Sequence, residues 1–310
     1  MLRGRDLLAI ADLTRKEVLH LLETALTLKQ GNGSSSLAGK TLALVFQKPS
    51  LRTRVSFDVA MHRLGGHVIY LSQAEVGLGQ REPVADVARV LSRYVDGIVA
   101  RTFCHSDVVE LAKYASVPVI NGLSDEEHPC QAMADLLTIR EKKGRLEGVS
   151  LAYIGDSNNI ANSLLLASAL VGMNFTIASP LGFQPSERIM ALAESHCARS
   201  GARVAITDDP RVAVTNADVI YTDVWTSMGQ EAEAEERRRA FAGFQVTCEL
   251  VSLAKRDVIV MHDLPAHRGE EITDEVLESE HSVVFDQAEN RMHAQEAVLF
   301  ELLGSSESTC

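Results

Sequence analysis

The chain has 310 residues, 46% of them hydrophobic, and a formal net charge of −12. That length favours two domains over one, and the composition suits a protein able to bury a sizeable core. The acidic balance argues against nonspecific nucleic-acid binding, and no apolar run reaches the roughly 20 residues of a membrane span. The strongest such run, 163–172, is too short. Arg3, Arg5, Asp6 and Asp12 stand near the N-terminus without an apolar segment or cleavage site, so no targeting segment and a cytoplasmic location are expected. Cys104, Cys130, Cys197, Cys248 and Cys310 are scattered and lack CxxC spacing, which favours reduced thiols over disulfides or a zinc site.

In chain order, residues 14–30 predict an amphipathic helix, with Leu19, Leu22, Ala25, Leu26 and Lys29 sampling its faces. GNGSSS then reads as a flexible loop. The stretch 41–66 follows: TLALVF as a buried strand, QKPSLRTR, and a helix with Val55, Val59 and Ala60 at helical spacing, ended by Gly65 and Gly66. Ser50 is an N-cap candidate, and Arg52, Thr53 and Arg54 fill the first turn. A strand feeding a helix N-terminus is an anion site in outline, because the first backbone N–H groups have no intrahelical partner. Lys48, Arg52 and Arg54 add full charges, in a chain that is otherwise acidic. A capped surface helix with solvated arginines is the alternative reading.

HVIYL is the next strand, SQAEVGLGQREP a long loop, and PVADVARVLSRYV a helix. Strand GIVARTF, helix SDVVELAKYA and strand VPVINGL continue the alternation, and 130–143 reads as one long helix. After a boundary at 144–148 a second alternation begins. Its strands are SLAYIGD, NFTIASP, ARVAITD, ADVIYTDV and DVIVMHDLP. Its helices are NNIANSLLLASALVG, SERIMALAESHCARSG, 211–215 and EAEAEERRRAFA, the last read as a solvated acidic face. A terminal helix spans 286–303, and GSSESTC reads as a disordered tail.

The expected fold is therefore α/β, with two domains, each a parallel sheet flanked by helices. Residues 1–143 make the first and 144–287 the second; the C-terminal helix, 288–303, packs back toward the first, and 304–310 is the tail. Such sheets place ligands at the C-terminal ends of their strands, in the cleft between the domains. The polar residues at those ends are 48–54, Arg101, His128 with Gln131, Asp156 with Asn158 and Asn159, Asp223 with Ser227, and the run His262-Asp263-Leu264-Pro265. Arg291 lies on the last helix. Singly each has a structural reading: Arg101 as a snorkelling strand-end side chain, His128 as a core histidine. GDSNN follows a strand but lacks the spacing and glycines of a dinucleotide loop.

Taken together, KPSLRTR, AR, HPCQ, DVWTSMGQE, HDLP and AENR resemble the aspartate/ornithine carbamoyltransferases over nearly the whole chain. Asp223, Ser227, Met228 and Gly229 are similar to the D-x-x-x-SMG signature of the ornithine branch. The resemblance implies carbamoyl transfer from carbamoyl phosphate to ornithine in arginine metabolism, with no cofactor or metal, by a homotrimer. It implies that Ser50, Leu51 (through its N–H), Arg52, Thr53, Arg101, His128, Gln131 and Arg291 bind carbamoyl phosphate. It likewise gives Asn159, Asp223, Ser227, Met228, Asp263 and Leu264 to ornithine, and Arg101, His128, Asp263 and Arg291 to the reacting centre. Other amines, such as putrescine, and a non-catalytic ligand-binding role are the competing functions.

Two positions depart from the family. Leu51 replaces the usual Thr, which its backbone N–H tolerates. Asp263 replaces the Cys of HCLP. A carboxylate beside the δ-amine attracts the ammonium form and raises the amine's pKa, or else accepts its proton as a general base. The structural alternative is that Asp263 points away into a hydrogen-bond network.

Overall fold

The computed structural model describes residues 2–31, 36–227 and 229–304. Met228, most of the expected GNGSSS loop and the tail beyond 304 lie outside the described residues. Two compact units divide the chain: Met1–Leu137 with Asn290–Cys310, and Thr138–Glu289. Among the described residues no helix is long and apolar enough to cross a membrane.

The first unit is built on a four-stranded parallel sheet, ordered β2-β1-β3-β4, from β1 (Thr41–Phe46), β2 (His67–Ser72), β3 (Gly97–Arg101) and β4 (Val119–Leu123). Its two central strands are almost wholly buried, as expected where helices cover both faces of a parallel sheet. The helices are α1 (Arg15–Lys29), α2 (Leu51–Arg63), α3 (Gln73–Val76), α4 (Val84–Leu91), α5 (His105–Tyr114) and the start of α6 (Pro129–Lys143). The expected loop after β2 thus contains one helical turn, α3, capped by Ser72 and Glu75.

The structure selects the face of α1 that the sequence left open, and the face of α2 differs from expectation. In α1 the buried set is Val18, Leu21, Leu22, Ala25 and Leu28, with Leu19 and Leu26 half-buried. Leucines occupy more than one face of α1, so spacing alone does not select the buried one. In α2 the core face is Thr53, Phe57, Ala60 and Met61, whereas Val55 and Val59 are 49% and 38% exposed. Phe57 and Met61 bury more apolar area than a valine and take the inward positions. Leu51, 75% exposed, extends the outward stripe at helical spacing.

The second unit carries a five-stranded parallel sheet, ordered β7-β6-β5-β8-β9. Its strands are β5 (Ser150–Ile154), β6 (Asn174–Ala178), β7 (Val204–Thr207), β8 (Val219–Thr222) and β9 (Ile259–Met261). Helices α7 (Asn159–Val171), α8 (Glu187–Ser200), α9 (Pro210–Val214) and α10 (Ala234–Ala240) precede the short α11 (Cys248–Val251) and α12 (Asp274–Leu277). The chain ends in α13 (Val284–Leu303). Along α10, Glu235, Glu236, Arg238 and Arg239 are exposed as expected, but Arg237 is buried.

In both sheets the strand order reverses beside the first strand in sequence, between β1 and β3 and between β5 and β8. Connections on the two sides of such a point leave in opposite directions and open a crevice at the carboxyl ends of the strands. The residues that follow β1, β3, β5 and β8 are therefore the ones best placed for ligands.

Candidate active site

The first unit presents its polar cluster where β1 gives way to α2. Ser50 has extended backbone, and its hydroxyl accepts from the Thr53 N–H at 3.2 Å, the geometry of an N-cap. The cap leaves the N–H groups of Leu51 and Arg52 without intrahelical acceptors. Gln47 ties this loop to the end of β3. Its N–H donates to the Arg101 carbonyl at 2.8 Å, its Oε1 accepts from the Phe103 N–H at 2.7 Å, and its Nε2 donates to Asp107 at 3.0 Å. Arg101, 7% exposed, sits at an irregularity in the β3–β4 register that turns the strand end.

His128 precedes α6, and its carbonyl accepts from the Gln131 and Ala132 N–H groups. Gln131 donates from Nε2 to Asp135 at 2.8 Å and accepts at Oε1 from Arg291 Nη1 at 2.7 Å. Arg291 Nη2 donates to the Thr53 hydroxyl, also at 2.7 Å. Thr53, Gln131, Asp135 and Arg291 are all at most 3% exposed. The network holds a guanidinium against the first turn of α2. Arg54 stacks on Tyr70, 3.9 Å from the ring centroid, and Lys48 lies over Phe103. Cys130 of the HPCQ run is no nucleophile: burial pushes its thiol up to about 12.

The second unit presents an acidic cluster. Asn158 caps α7, accepting from the Ile160 and Ala161 N–H groups, and its Nδ2 donates to Asp223 Oδ2 at 2.6 Å. The Val224 N–H donates to Asp223 Oδ1 at 2.7 Å. Carboxyl oxygens of Asp223 and Asp263 lie within 4.8 Å of each other, and burial, with the Asp263 charge next, pushes the Asp223 carboxyl well above the usual range.

His262 and Glu271 are both fully buried, with Nε2 and Oε1 3.0 Å apart. The acids around this imidazole favour its charged form, but the Leu264 N–H donates to Nδ1 at 2.9 Å and requires a lone pair there. That bond fixes the neutral tautomer protonated at Nε2. It also holds Leu264 in the left-handed region, at φ 60°, and so sets the path of the chain from Asp263 to Pro265. Polar atoms of Asp223, His262 and Asp263 lie within 4.8 Å of one another. With both ring nitrogens engaged, His262 has no lone pair to offer a metal, and two carboxylates fall short of a closed ligand set.

Family models match both parts of the chain. One described as the carbamoyl-P binding domain of aspartate/ornithine carbamoyltransferase covers residues 5–141, and one described as its Asp/Orn binding domain covers 147–302. The chain belongs to the aspartate/ornithine carbamoyltransferase family. It is 57% identical over 307 residues to an ornithine carbamoyltransferase of Pyrococcus abyssi, covering 98% of this chain and 97% of the relative. An anabolic ornithine carbamoyltransferase of Pyrococcus furiosus is 56% identical, with 98% of both chains covered. The solved ornithine carbamoyltransferase of that organism superposes with a TM-score of 0.95 over 99% of each chain. The Gloeobacter violaceus enzyme gives 0.89 at 51% identity, over 97% of this chain and 100% of that one.

Within this transcarbamoylase, Thr53, Gln131 and Arg291 meet through hydrogen bonds, with Ser50 joined to Thr53. Leu51 points outward, so only its N–H serves. Asp223 and Asp263 meet; Leu264 serves His262. Ser227 exchanges hydrogen bonds with Gln230, Asn159 is the half-buried first residue of α7, and Met228 lies outside the described residues.

Asn158, named with Asn159 among the strand-end residues, reaches Asp223, whereas Arg237 escapes sequence reasoning. Arg237 donates to Asp156 Oδ2 at 2.7 Å, to the Trp225 carbonyl at 3.1 Å and to Glu233 at 3.0 Å, with Phe183 beneath the guanidinium. It thereby pins the start of the SMG loop to the end of β5. Its spacing from Phe241 and Phe244 is the signal that it faces inward. Burial pushes the Asp156 carboxyl up, and Arg237 pulls it back. Arg237→Met strands that acid, and is expected to cost about 3–5 kcal/mol of stability in urea unfolding. A loss below about 1 kcal/mol, the range of a solvated pair, would mean that the ion pair does not anchor the loop.

Proposed function

We propose that this protein transfers the carbamoyl group of carbamoyl phosphate to the δ-amine of L-ornithine, giving L-citrulline and phosphate, as an enzyme of arginine biosynthesis in the cytoplasm. The observation that carries the reading is the opposite polarity of the two strand-end clusters. The first unit offers the N–H groups at the start of α2 with arginines; the second offers neighbouring acids. These suit a dianionic phosphate and a diamino acid respectively. The names of the relatives support the same substrates.

The first domain, 1–143 with the helix 288–303 as read from the sequence, holds carbamoyl phosphate. Ser50, the Leu51 N–H, Arg52, Thr53 and Arg291 take its phosphate, while Arg101, His128 and Gln131 surround the carbamoyl group. The second domain, 144–287 in that reading, holds ornithine through Asn159, Asp223, Ser227, Met228, Asp263 and Leu264. As the amine attacks, charge moves to the carbonyl oxygen and then to the departing phosphate. Fixed donors aimed at those oxygens stabilise that charge with little reorganisation, and catalysis is positioning and electrostatics.

Incubating the purified protein with carbamoyl phosphate and a panel of amines tests the reading. Citrulline from ornithine is expected. Turnover of putrescine alone would reassign the amine, and turnover of none would make the protein a binding paralogue.

The assembly is a homotrimer, supported by the exposed stripe Leu51, Val55 and Val59 on α2. Sedimentation should give three times the 33.7 kDa chain. Val55→Asp with Val59→Asp should shift the mass toward the single chain, and an unaltered mass would clear this stripe of any part in assembly.

A further inference from the structure

A chain of buried side chains in the first unit runs from α6 to the first turn of α2. Asp135 Oδ1 accepts from Gln131 Nε2 at 2.8 Å, and Gln131 Oε1 accepts from Arg291 Nη1 at 2.7 Å. Arg291 Nη2 donates in turn to the Thr53 hydroxyl at 2.7 Å. Gln131 and Asp135 stand one helical turn apart on α6 and so share a face. Asp135 is fully buried, and Thr53, Gln131 and Arg291 are at most 3% exposed.

The direction of this chain follows from what each group can donate and accept. A guanidinium only donates, so the Gln131 amide must turn its oxygen to Arg291. Its NH₂ group then faces the other way and needs an acceptor, which the Asp135 carboxyl supplies. At this depth solvent does not stand in for a missing acceptor, and a buried donor left without one is costly. Loss of the acceptor therefore favours rotation of the Gln131 side chain, which breaks its bond to Arg291. A primary amide has a second hydrogen and a second lone pair. Gln131 can thus hold Arg291 and still meet a carbamoyl group.

We propose that Asp135 is a positioning residue for carbamoyl phosphate, acting through the Gln131 amide to hold the Arg291 guanidinium at the phosphate end of the site. This rests on the carbamoyl phosphate reading above and gives a role to a residue beyond the HPCQ run. A guanidinium fixed before the anion arrives needs little reorganisation on binding.

Steady-state kinetics on the full protein, with carbamoyl phosphate and ornithine varied separately, test the assignment. Asp135→Leu removes the acceptor, whereas Asp135→Asn keeps an oxygen for Gln131. Asp135→Leu should raise the KM for carbamoyl phosphate about tenfold or more, and Asp135→Asn about threefold or less. The KM for ornithine should stay within about twofold of native in both. A merely structural Asp135 would lower the urea midpoint of Asp135→Leu and leave both KM values native. That result would overturn the proposal, as would an equal rise with the two variants.

Calorimetric titration with inorganic phosphate gives a second test, which stands even where Asp135→Leu alone does not fold. Gln131→Leu should weaken phosphate binding, and adding Asp135→Leu to it should change the dissociation constant by less than about twofold. Further weakening in the double variant would show that Asp135 acts by another route and overturn the proposal. Citrulline formation by the native protein separates the two readings. With citrulline formed and the KM pattern absent, only the role of Asp135 falls; without citrulline, the carbamoyl transfer reading falls and this inference with it.

Discussion

Arg101→Gln is expected to lower kcat for citrulline formation by about 10²–10³-fold, the usual cost of losing one donor to a developing oxyanion. Arg101 is 7% exposed at the end of β3, beside the point where the strand order reverses. Gln47 fixes its backbone and joins it to the loop leading into α2. A guanidinium so buried is little screened by solvent, so in the proposed reaction its effect on the carbonyl oxygen is large. Glutamine retains one N–H donor and loses the charge. The defect should fall on kcat, with the KM for ornithine nearly native, because the interaction strengthens only as charge develops. A kcat within about threefold of native, in a variant with native circular dichroism, would remove Arg101 from the reacting centre.

The second large effect is expected at Arg52. This residue occupies the first turn of α2, one position before the Thr53 that Arg291 bonds. In the proposed site its guanidinium and the N-terminal N–H groups address the same anion, and a hydrogen bond to a charged group contributes about 1.5–3 kcal/mol. Arg52→Gln should therefore raise the KM for carbamoyl phosphate by about 10–150-fold. The KM for ornithine should change little, since the acidic cluster belongs to the other unit. Added salt should weaken carbamoyl phosphate binding less in the variant than in the native protein. An unchanged KM for carbamoyl phosphate would place the phosphate elsewhere.

Much of this was legible in the sequence, for reasons that differ from residue to residue. TLALVF and SLAYI announce themselves as strands because buried parallel strands are continuous apolar runs. Ser50 announces a helix start because capping needs a short side-chain oxygen at that position. The inward face of α2 was not legible, because Val55 and Val59 are as apolar as the residues that face the sheet. Nor were α11 and α12, since four residues are too short to show a period.

The site divides in the same way. Ser50, Arg52, Thr53, Arg101, His128, Gln131 and Arg291 fall in motifs, but the bonds from Arg291 to Thr53 and Gln131 join segments far apart in the chain. Arg237 was hidden in a charged run in which its neighbours are solvated. Asp263 was visible as an oddity in HDLP. Its contact with Asp223 depends on β8 and β9 lying side by side, a fact of topology that residue spacing does not carry.

The central claim is the coupling of two substrates in one transfer. Its most direct measurement follows carbamoyl phosphate labelled with ¹³C at the carbonyl, in the presence of ornithine and the purified protein. The account predicts citrulline labelled at the ureido carbon, with one phosphate released for each citrulline formed. Phosphate released without labelled citrulline, or no consumption of carbamoyl phosphate at all, would contradict it.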